Sequence, residues 1–284
     1  MSPVAERRML RRPDATVSYR IAGPERAPSV VFLHGATLDS HAWDAQFVAL
    51  ASRYRVVAPD LRGHGMSAMD GRFRFDDAVD DVLALLDELG LHAAAGVPVV
   101  LVGLSLGGNI AQEIVYREPG RVTALVVADS TRSTAARHPL AAPMAIASLT
   151  AMRLGGRARF MRQAAEATSP HEDVQQYVLR ANGDRTTTEV VQILSQLLEH
   201  ALHPEPDYQL PVPTLLVHGA DDRVGDIVSS ARDWAAHDER VEHVVVPDAG
   251  HASNQDNPEA FTAALLDFVG RVMPPKRGLL RRAG

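Results

Sequence analysis

Residues 103–107 read Gly-x-Ser-x-Gly, and they directly follow the apolar run 99–102. Turning a buried strand into a helix within so few residues forces the serine into a strained backbone conformation. Gly103 and Gly107 must be small so that neighbouring backbone can pass close by. Such a turn exposes the serine hydroxyl at the carboxyl edge of a sheet. The pattern therefore predicts Ser105 as a nucleophile.

A serine hydroxyl needs a nearby base that accepts its proton, and the chain has 12 histidines from which to choose. His251 follows the late apolar run 243–246 and precedes the helical pattern at 259–272. That position is the carboxyl end of a strand, where side chains can converge on Ser105. We therefore expect His251 to be the general base.

A catalytic histidine also needs a carboxylate that holds its tautomer and stabilises its charged form. Asp221 and Asp222 lie just past the apolar run 214–217, and the next strand leads to His251. Asp222 is the preferred acid, with Asp221 as an alternative. Asp129 is a further candidate because it ends an earlier strand at the same edge of the sheet.

Two backbone N–H groups are candidates for stabilising a negatively charged oxygen in the transition state. Leu106 follows the serine, at the start of a helix whose N–H groups point towards the site. Ala36 lies in the turn after the apolar run 29–33 and would supply the second donor. His34, in the same turn, is expected to shape it through hydrogen bonds.

Short apolar runs alternate with helix-period segments along the chain, as in a parallel sheet that is covered on both faces. The predicted strands are 16–22, 29–33, 54–58, 97–102, 122–128, 214–217 and 243–246. The predicted core helices are 76–89, 108–117 and 259–272.

The alternation of predicted strands and helices is interrupted for about eighty residues after the run 122–128 and resumes at 214–217. We interpret 130–210 as a helical cap inserted into an α/β core made of 14–129 and 211–272. The ends, 1–13 and 273–284, are rich in arginine and are expected to be flexible tails.

Substrate choice is expected to lie in the cap, whose predicted helices are 158–167, 173–181 and 189–200. The apolar stretch 141–152 could line a pocket or pack on the core, and the sequence leaves both open. Arg132, Arg137 and His138 could bind a substrate carboxylate, although a solvated surface is the preferred interpretation.

The composition of the chain limits which classes of protein it can belong to. The chain has 284 residues, of which 46% are hydrophobic and 23% are charged, and its net charge is −6. It has no cysteine and no apolar run of the roughly 18–20 residues that span a bilayer. Residues 1–12 lack the continuous apolar stretch that is typical of a secretory signal, so none is expected. Residues 1–12 and 271–284 together hold nine of the 29 basic residues, so the body is acidic and unsuited to nucleic acid. We expect a cytoplasmic protein that acts on a small molecule away from membranes; its oligomeric state stays open.

Taken together, these segments resemble the α/β-hydrolase superfamily. The matching motifs lie at residues 34–36, 60–65, 103–108, 219–222 and 250–251. The resemblance covers about 14–272 apart from the insertion. It implies a mostly parallel, eight-stranded sheet with helices on both faces and a helical cap between strands six and seven. It also implies that Asp222 holds the acid position after strand seven, although in some relatives the acid follows strand six, which keeps Asp129 open.

The groups that the chain resembles are small carboxylesterases, enol-lactonases, cofactor-free haloperoxidase-like esterases and carbon–carbon bond hydrolases. We therefore expect a serine hydrolase that cleaves a carboxylic ester or lactone through an acyl-enzyme, with no metal or organic cofactor. Thioester or carbon–carbon cleavage by the same triad is the alternative within that class. A ligand-binding receptor on the same fold is the alternative outside it.

Overall fold

A computed structural model describes residues 5–135, 147, 150, 156–183, 185–200, 205 and 207–274. Its centre is a sheet, and the strands are β1 Glu6–Arg11, β2 Ala15–Ala22, β3 Ser29–Leu33, β4 Arg55–Pro59, β5 Ala68–Met69, β6 Val99–Leu104, β7 Ala124–Ala128, β8 Thr214–Gly219 and β9 Val241–Val246. Their order in the sheet is β1-β2-β4-β3-β6-β7-β8-β9, and the two-residue β5 pairs with β2. Strand β2 is antiparallel to its partners, and β3, β4 and β6 to β9 are parallel. The predicted eight-stranded, mostly parallel sheet is confirmed.

Helices cover both faces of this sheet. They are α1 Asp44–Leu50, α2 Phe75–Glu88, α3 Leu106–Arg117, α4 Arg157–Thr168, α5 Glu172–Asn182, α6 Thr187–His200, α7 Ile227–His237, α8 Ser253–Asp256 and α9 Pro258–Val272. Short 3-10 turns lie at Ser40–Trp43 and Ala93–Ala95. None of the helices in the described ranges is long and apolar enough to cross a bilayer.

Burial on both faces explains why the central strands are continuous apolar runs rather than alternating ones. Along β3, Val31 belongs to the apolar cluster on the face covered by α2, α3 and α7, whereas Val30 and Phe32 belong to the cluster on the face covered by α1 and α9. Strand β6 alternates in the same way between Leu101 and Val102. Since neither face is solvated, every position along these strands favours an apolar side chain.

Helices α4, α5 and α6 lie between β7 and β8, where the sequence predicts an insertion. Met161 and Val190 form a small apolar cluster of their own, and Ala165 and Val178 pack against the α1/α9 side of the core. Arg137, His138 and most of 141–152 lie outside the described residues. That 130–210 act together as a cap stays a prediction.

The N-terminal segment differs from the prediction. Residues 1–13 were expected to be a flexible tail, but residues 6–11 form strand β1. This strand pairs along its whole length with β2. Arg7 forms an ion pair with the buried Asp60 at 2.8 Å, and Arg12 with the buried Asp81 at 2.9 Å. Charged edge strands are common because they discourage pairing with other chains, and they lack the apolar alternation by which strands are recognised. At the other end, Met273 is buried against α9, and 275–284 lie outside the described residues.

Candidate active site

The turn from β6 into α3 has the strained geometry that the glycine pattern predicts. Ser105 has φ 51° and ψ −114°, a left-handed φ that is uncommon for residues other than glycine. A β-carbon built on Gly103 would lie 2.2 Å from the carbonyl oxygen of Gly107. One built on Gly107 would lie 2.1 Å from the carbonyl oxygen of Leu33. Side chains at these positions would push the turn away from the sheet.

Hydrogen bonds to its main chain hold Ser105 in this conformation. Its N–H donates to Ala128 at 2.9 Å, and its carbonyl oxygen accepts from the Asn109 N–H at 3.1 Å. The Ser130 hydroxyl lies 3.0 Å from the same carbonyl oxygen and 2.8 Å from Asn109 Oδ1. Sequence reasoning missed Ser130; its place directly after Asp129, at the end of a central strand, was the available signal.

His251 and Asp222 form a hydrogen-bonded pair after neighbouring strands. The distance from His251 Nδ1 to Asp222 Oδ2 is 3.0 Å, and the carboxylate is fully buried. The other oxygen, Oδ1, accepts from the Val224 N–H at 2.8 Å. Asp221, by contrast, is exposed. The structure thus pairs His251 with Asp222, as expected for an acid that fixes the tautomer with the proton on Nδ1.

The charges around His251 favour its protonated form. Burial, the largest influence, lowers the pKa of His251, but the hydrogen bond and the charge of Asp222 raise it. The charges of Asp129 and Asp256 add to that effect, so that the pKa lies above the ordinary value for histidine.

Asp129 lies close by but makes different contacts. It is buried, with φ 44°, and its Oδ1 accepts from the Gly219 N–H at 2.9 Å. Its Oδ2 accepts from the N–H and the hydroxyl of Ser253 at 3.1 and 2.5 Å. Burial raises the pKa of Asp129 to about 7. Asp129 therefore joins the segments before and after Asp222 and His251, while the direct contact with the imidazole belongs to Asp222.

The turn after β3 lies against Ser105, where an oxyanion site is expected. A β-carbon built on Gly35 would be 3.5 Å from Ser105 Cβ. His34 braces this turn, since its Nδ1 donates to the Gly35 carbonyl at 2.8 Å and its Nε2 accepts from the Leu61 N–H at 2.9 Å. Within the described ranges, the N–H groups of Ala36 and Leu106 have no protein acceptor, which leaves both free to bind an oxygen.

Ser105, Asp222 and His251 follow β6, β8 and β9, so all three lie at the carboxyl edge of the sheet. Ser105 Oγ and His251 Nε2 are not hydrogen-bonded to each other in the part of the chain that the structure describes. Catalytic hydrogen bonds are often long without substrate and shorten in the reacting complex.

A cavity of about 520 Å³ lies away from these residues, beside α2, α3 and α6. Arg132 lines it, and its guanidinium donates to Thr134 Oγ1 and to the Tyr208 carbonyl. This arginine contacts protein groups, and its binding of a substrate carboxylate stays an untested alternative.

Comparison with known proteins agrees with this geometry. A sequence model of the alpha/beta hydrolase family matches residues 30–264. The chain is 27% identical over 275 residues to 3-oxoadipate enol-lactonase 1 of Acinetobacter baylyi, covering 95% of this chain and 98% of that protein. It is 28% identical over 257 residues to a non-heme haloperoxidase of Rhodococcus erythropolis, covering 84% and 91%. The structure of a thermophilic esterase from Thermogutta terrifontis superposes with a TM-score of 0.75 at 25% identity, covering 95% of this chain and all of that one.

Proposed function

The chain belongs to the α/β hydrolase family and is a hydrolase, and we propose that it cleaves a carboxylic ester or lactone through an acyl-enzyme on Ser105. The observation that carries the proposal is the buried pair of His251 and Asp222, at the edge of the sheet where the strained turn presents Ser105. The relatives named as an enol-lactonase and an esterase support an ester or lactone as the bond that is cleaved.

In the first half of the reaction, Ser105 Oγ attacks the carbonyl carbon while His251 Nε2 takes the hydroxyl proton. Asp222 keeps the other imidazole proton on Nδ1 and stabilises the imidazolium that forms. The carbonyl oxygen becomes negative and binds the N–H groups of Ala36 and Leu106. The tetrahedral intermediate then collapses, and His251 gives its proton to the departing alkoxide oxygen.

In the second half, water attacks the acyl group on Ser105. His251 Nε2 removes a proton from that water, and the same two N–H groups bind the oxyanion again. Collapse releases the carboxylic acid and returns the proton to Ser105 Oγ. A lactone follows the same steps, except that its alcohol stays joined to the acyl group.

Steady-state hydrolysis tests this proposal. The panel contains aryl esters of graded acyl length and lactones, with thioesters and a carbon–carbon cleavage substrate for comparison. Ser105→Ala is expected to lower kcat for the preferred ester or lactone by about a millionfold, as loss of a serine nucleophile does. The exposed Ser52 supplies the matched control, and Ser52→Ala is expected to keep full activity. Ester or lactone turnover that survives in Ser105→Ala would contradict the assignment.

A further inference from the structure

The loop that carries His251 contacts the turn between α4 and α5 of the insertion. We call residues 248–252 the histidine loop and residues 168–171 the insertion turn. The Ala252 N–H donates to the Thr168 carbonyl at 3.2 Å, and His171 Nε2 donates to the Asp248 carbonyl at 3.1 Å. The insertion turn thus contacts main-chain groups on both sides of His251.

Between these two contacts there is no space for a side chain on Gly250. A β-carbon built there would lie 2.9 Å from the Thr168 carbonyl oxygen and 3.2 Å from Pro170 Cδ. The residue before His251 is therefore packed directly against the insertion turn. A shift of that turn would move the main chain next to the imidazole.

Asp256, at the end of α8, links the two segments with one carboxylate. Its Oδ2 accepts from the Gly250 N–H at 2.7 Å, and its Oδ1 accepts from the Ser169 hydroxyl. Ser169 is itself fixed, because its Oγ accepts from the His171 N–H at 2.9 Å and its carbonyl from Gln175 Nε2 at 2.8 Å. A residue of the core thereby binds both the histidine loop and the insertion turn.

We propose that Asp256 is a positioning residue, which acts with Ser169 to fix the main chain of His251 against the insertion so that the imidazole is presented to Ser105. The part of this proposal that concerns catalysis rests on the proposed function of His251 as general base. It implies that the insertion orients the base in addition to any contact it makes with substrate.

The carboxylate accepts from two donors, one on each oxygen. Asparagine has a single, uncharged oxygen, so either the Gly250 N–H or the Ser169 hydroxyl loses its acceptor. Asp256→Asn also removes one of the three carboxylates whose charges raise the pKa of His251, the others being Asp222 and Asp129. The ionisable neighbours of Asp256 itself are His171 and Asp173 on the insertion.

The experiment compares Asp256→Asn and Ser169→Ala with Asp267→Asn. Asp267 lies on α9, is 74% exposed and pairs only with Arg271 in the described part of the chain, so its variant removes the same charge outside the site. Asp256→Asn is expected to lower the NMR-measured pKa of His251 and to speed hydrogen exchange at the Gly250 amide. We expect its kcat to fall on the order of tenfold or more at nearly constant KM, because small misplacements of a reacting group reduce the rate strongly.

Ser169→Ala keeps the carboxylate, so it is expected to lower kcat less and to leave the pKa of His251 at or above its wild-type value. If Asp256→Asn does not fold, Ser169→Ala decides the question by exchange at Gly250 and by kcat. Wild-type kcat, exchange and His251 titration in Asp256→Asn would overturn the proposal. Exchange and titration need no substrate, so they test the link even if the wild type hydrolyses no ester and the proposed function fails.

Discussion

Replacing Asp222 with asparagine removes a negative charge, and it also changes which ring nitrogen of His251 carries the proton. In the wild type, Asp222 accepts from the Val224 N–H with Oδ1 and from His251 Nδ1 with Oδ2. Asparagine has a single acceptor oxygen. If that oxygen keeps the Val224 N–H, its NH₂ group faces His251 Nδ1, which must then accept a hydrogen bond. The imidazole proton moves to Nε2, the atom that must take the proton from Ser105.

This exchange of tautomer sets the size of the effect. Loss of the acid from a serine triad with the geometry intact lowers kcat by about ten-thousandfold. At 1.36 kcal/mol for each factor of ten, that corresponds to about 5.4 kcal/mol of transition-state stabilisation. The side chain of Asp222 is fully buried, so solvent cannot replace the lost interaction.

Asp129→Asn is the matched comparison, because it places the same change on a neighbouring buried acid. Asp129 binds Gly219 and Ser253 instead of the imidazole. We expect kcat of this variant to stay within about tenfold of wild type, since the His251 contact with Asp222 is kept. Above pH 7, where Asp129 is ionised, the unfolding free energy of this variant should be about 1–3 kcal/mol below that of the wild type, because the asparagine NH₂ group would face an N–H donor that the carboxylate accepts from.

The assay is steady-state hydrolysis of the best ester or lactone, with chemical denaturation of the same samples. The reasoning predicts a large loss of kcat with Asp222→Asn and a loss of stability with Asp129→Asn. If instead Asp129→Asn abolishes turnover while Asp222→Asn keeps it, the acid is Asp129 and the tautomer argument is wrong.

Three further outcomes follow from the same contacts. Gly103→Ala should lower the unfolding free energy by about 1–3 kcal/mol or more, seen as a lower melting temperature, because its β-carbon would meet the Gly107 carbonyl at 2.2 Å; a wild-type melting temperature would contradict this. The acid limb of kcat/KM should have its midpoint above the ordinary histidine value of about 6.5, because the raised pKa of His251 keeps the base protonated to higher pH; a midpoint below that value would count against His251 as the base. Asp129 has a pKa of about 7 in the folded state and about 3.9 in the unfolded state, so between these pH values the folded state binds more protons. The stability of the wild type should therefore fall from about pH 4 to pH 7 relative to that of Asp129→Asn. Denaturation at several pH values measures the stability difference between the two proteins, and a difference that does not change with pH would refute the prediction.

The central strands and the turn at Ser105 could be predicted from the sequence because local patterns determine them. Strand β3 matches its predicted bounds, since both faces of the sheet are covered and the whole run is apolar. The need for glycine at 103 and 107 could also be predicted, because a strand that turns directly into a helix brings other main-chain atoms close to both positions. By contrast, β1 was missed because an exposed strand rich in arginine carries no apolar signal.

The contacts around His251 could be predicted only in part. The sequence favoured Asp222 as the acid but left Asp129 open, because both follow strands that end at the same edge and only the structure shows which one reaches the imidazole. The link from Ser169 to Asp256 joins residues 87 positions apart, and neither belongs to a recognisable motif. Such pairs depend on how the insertion packs on the core, which only the folded structure shows.

Covalent labelling with a fluorophosphonate tests the central claim most directly, because the reagent phosphonylates a serine that has been activated by a neighbouring base. We predict that each chain gains one phosphonyl group, that peptide mass analysis locates it on Ser105, and that Ser105→Ala is not labelled. Labelling that persists in Ser105→Ala, or that falls on another residue of the wild type, would contradict the account.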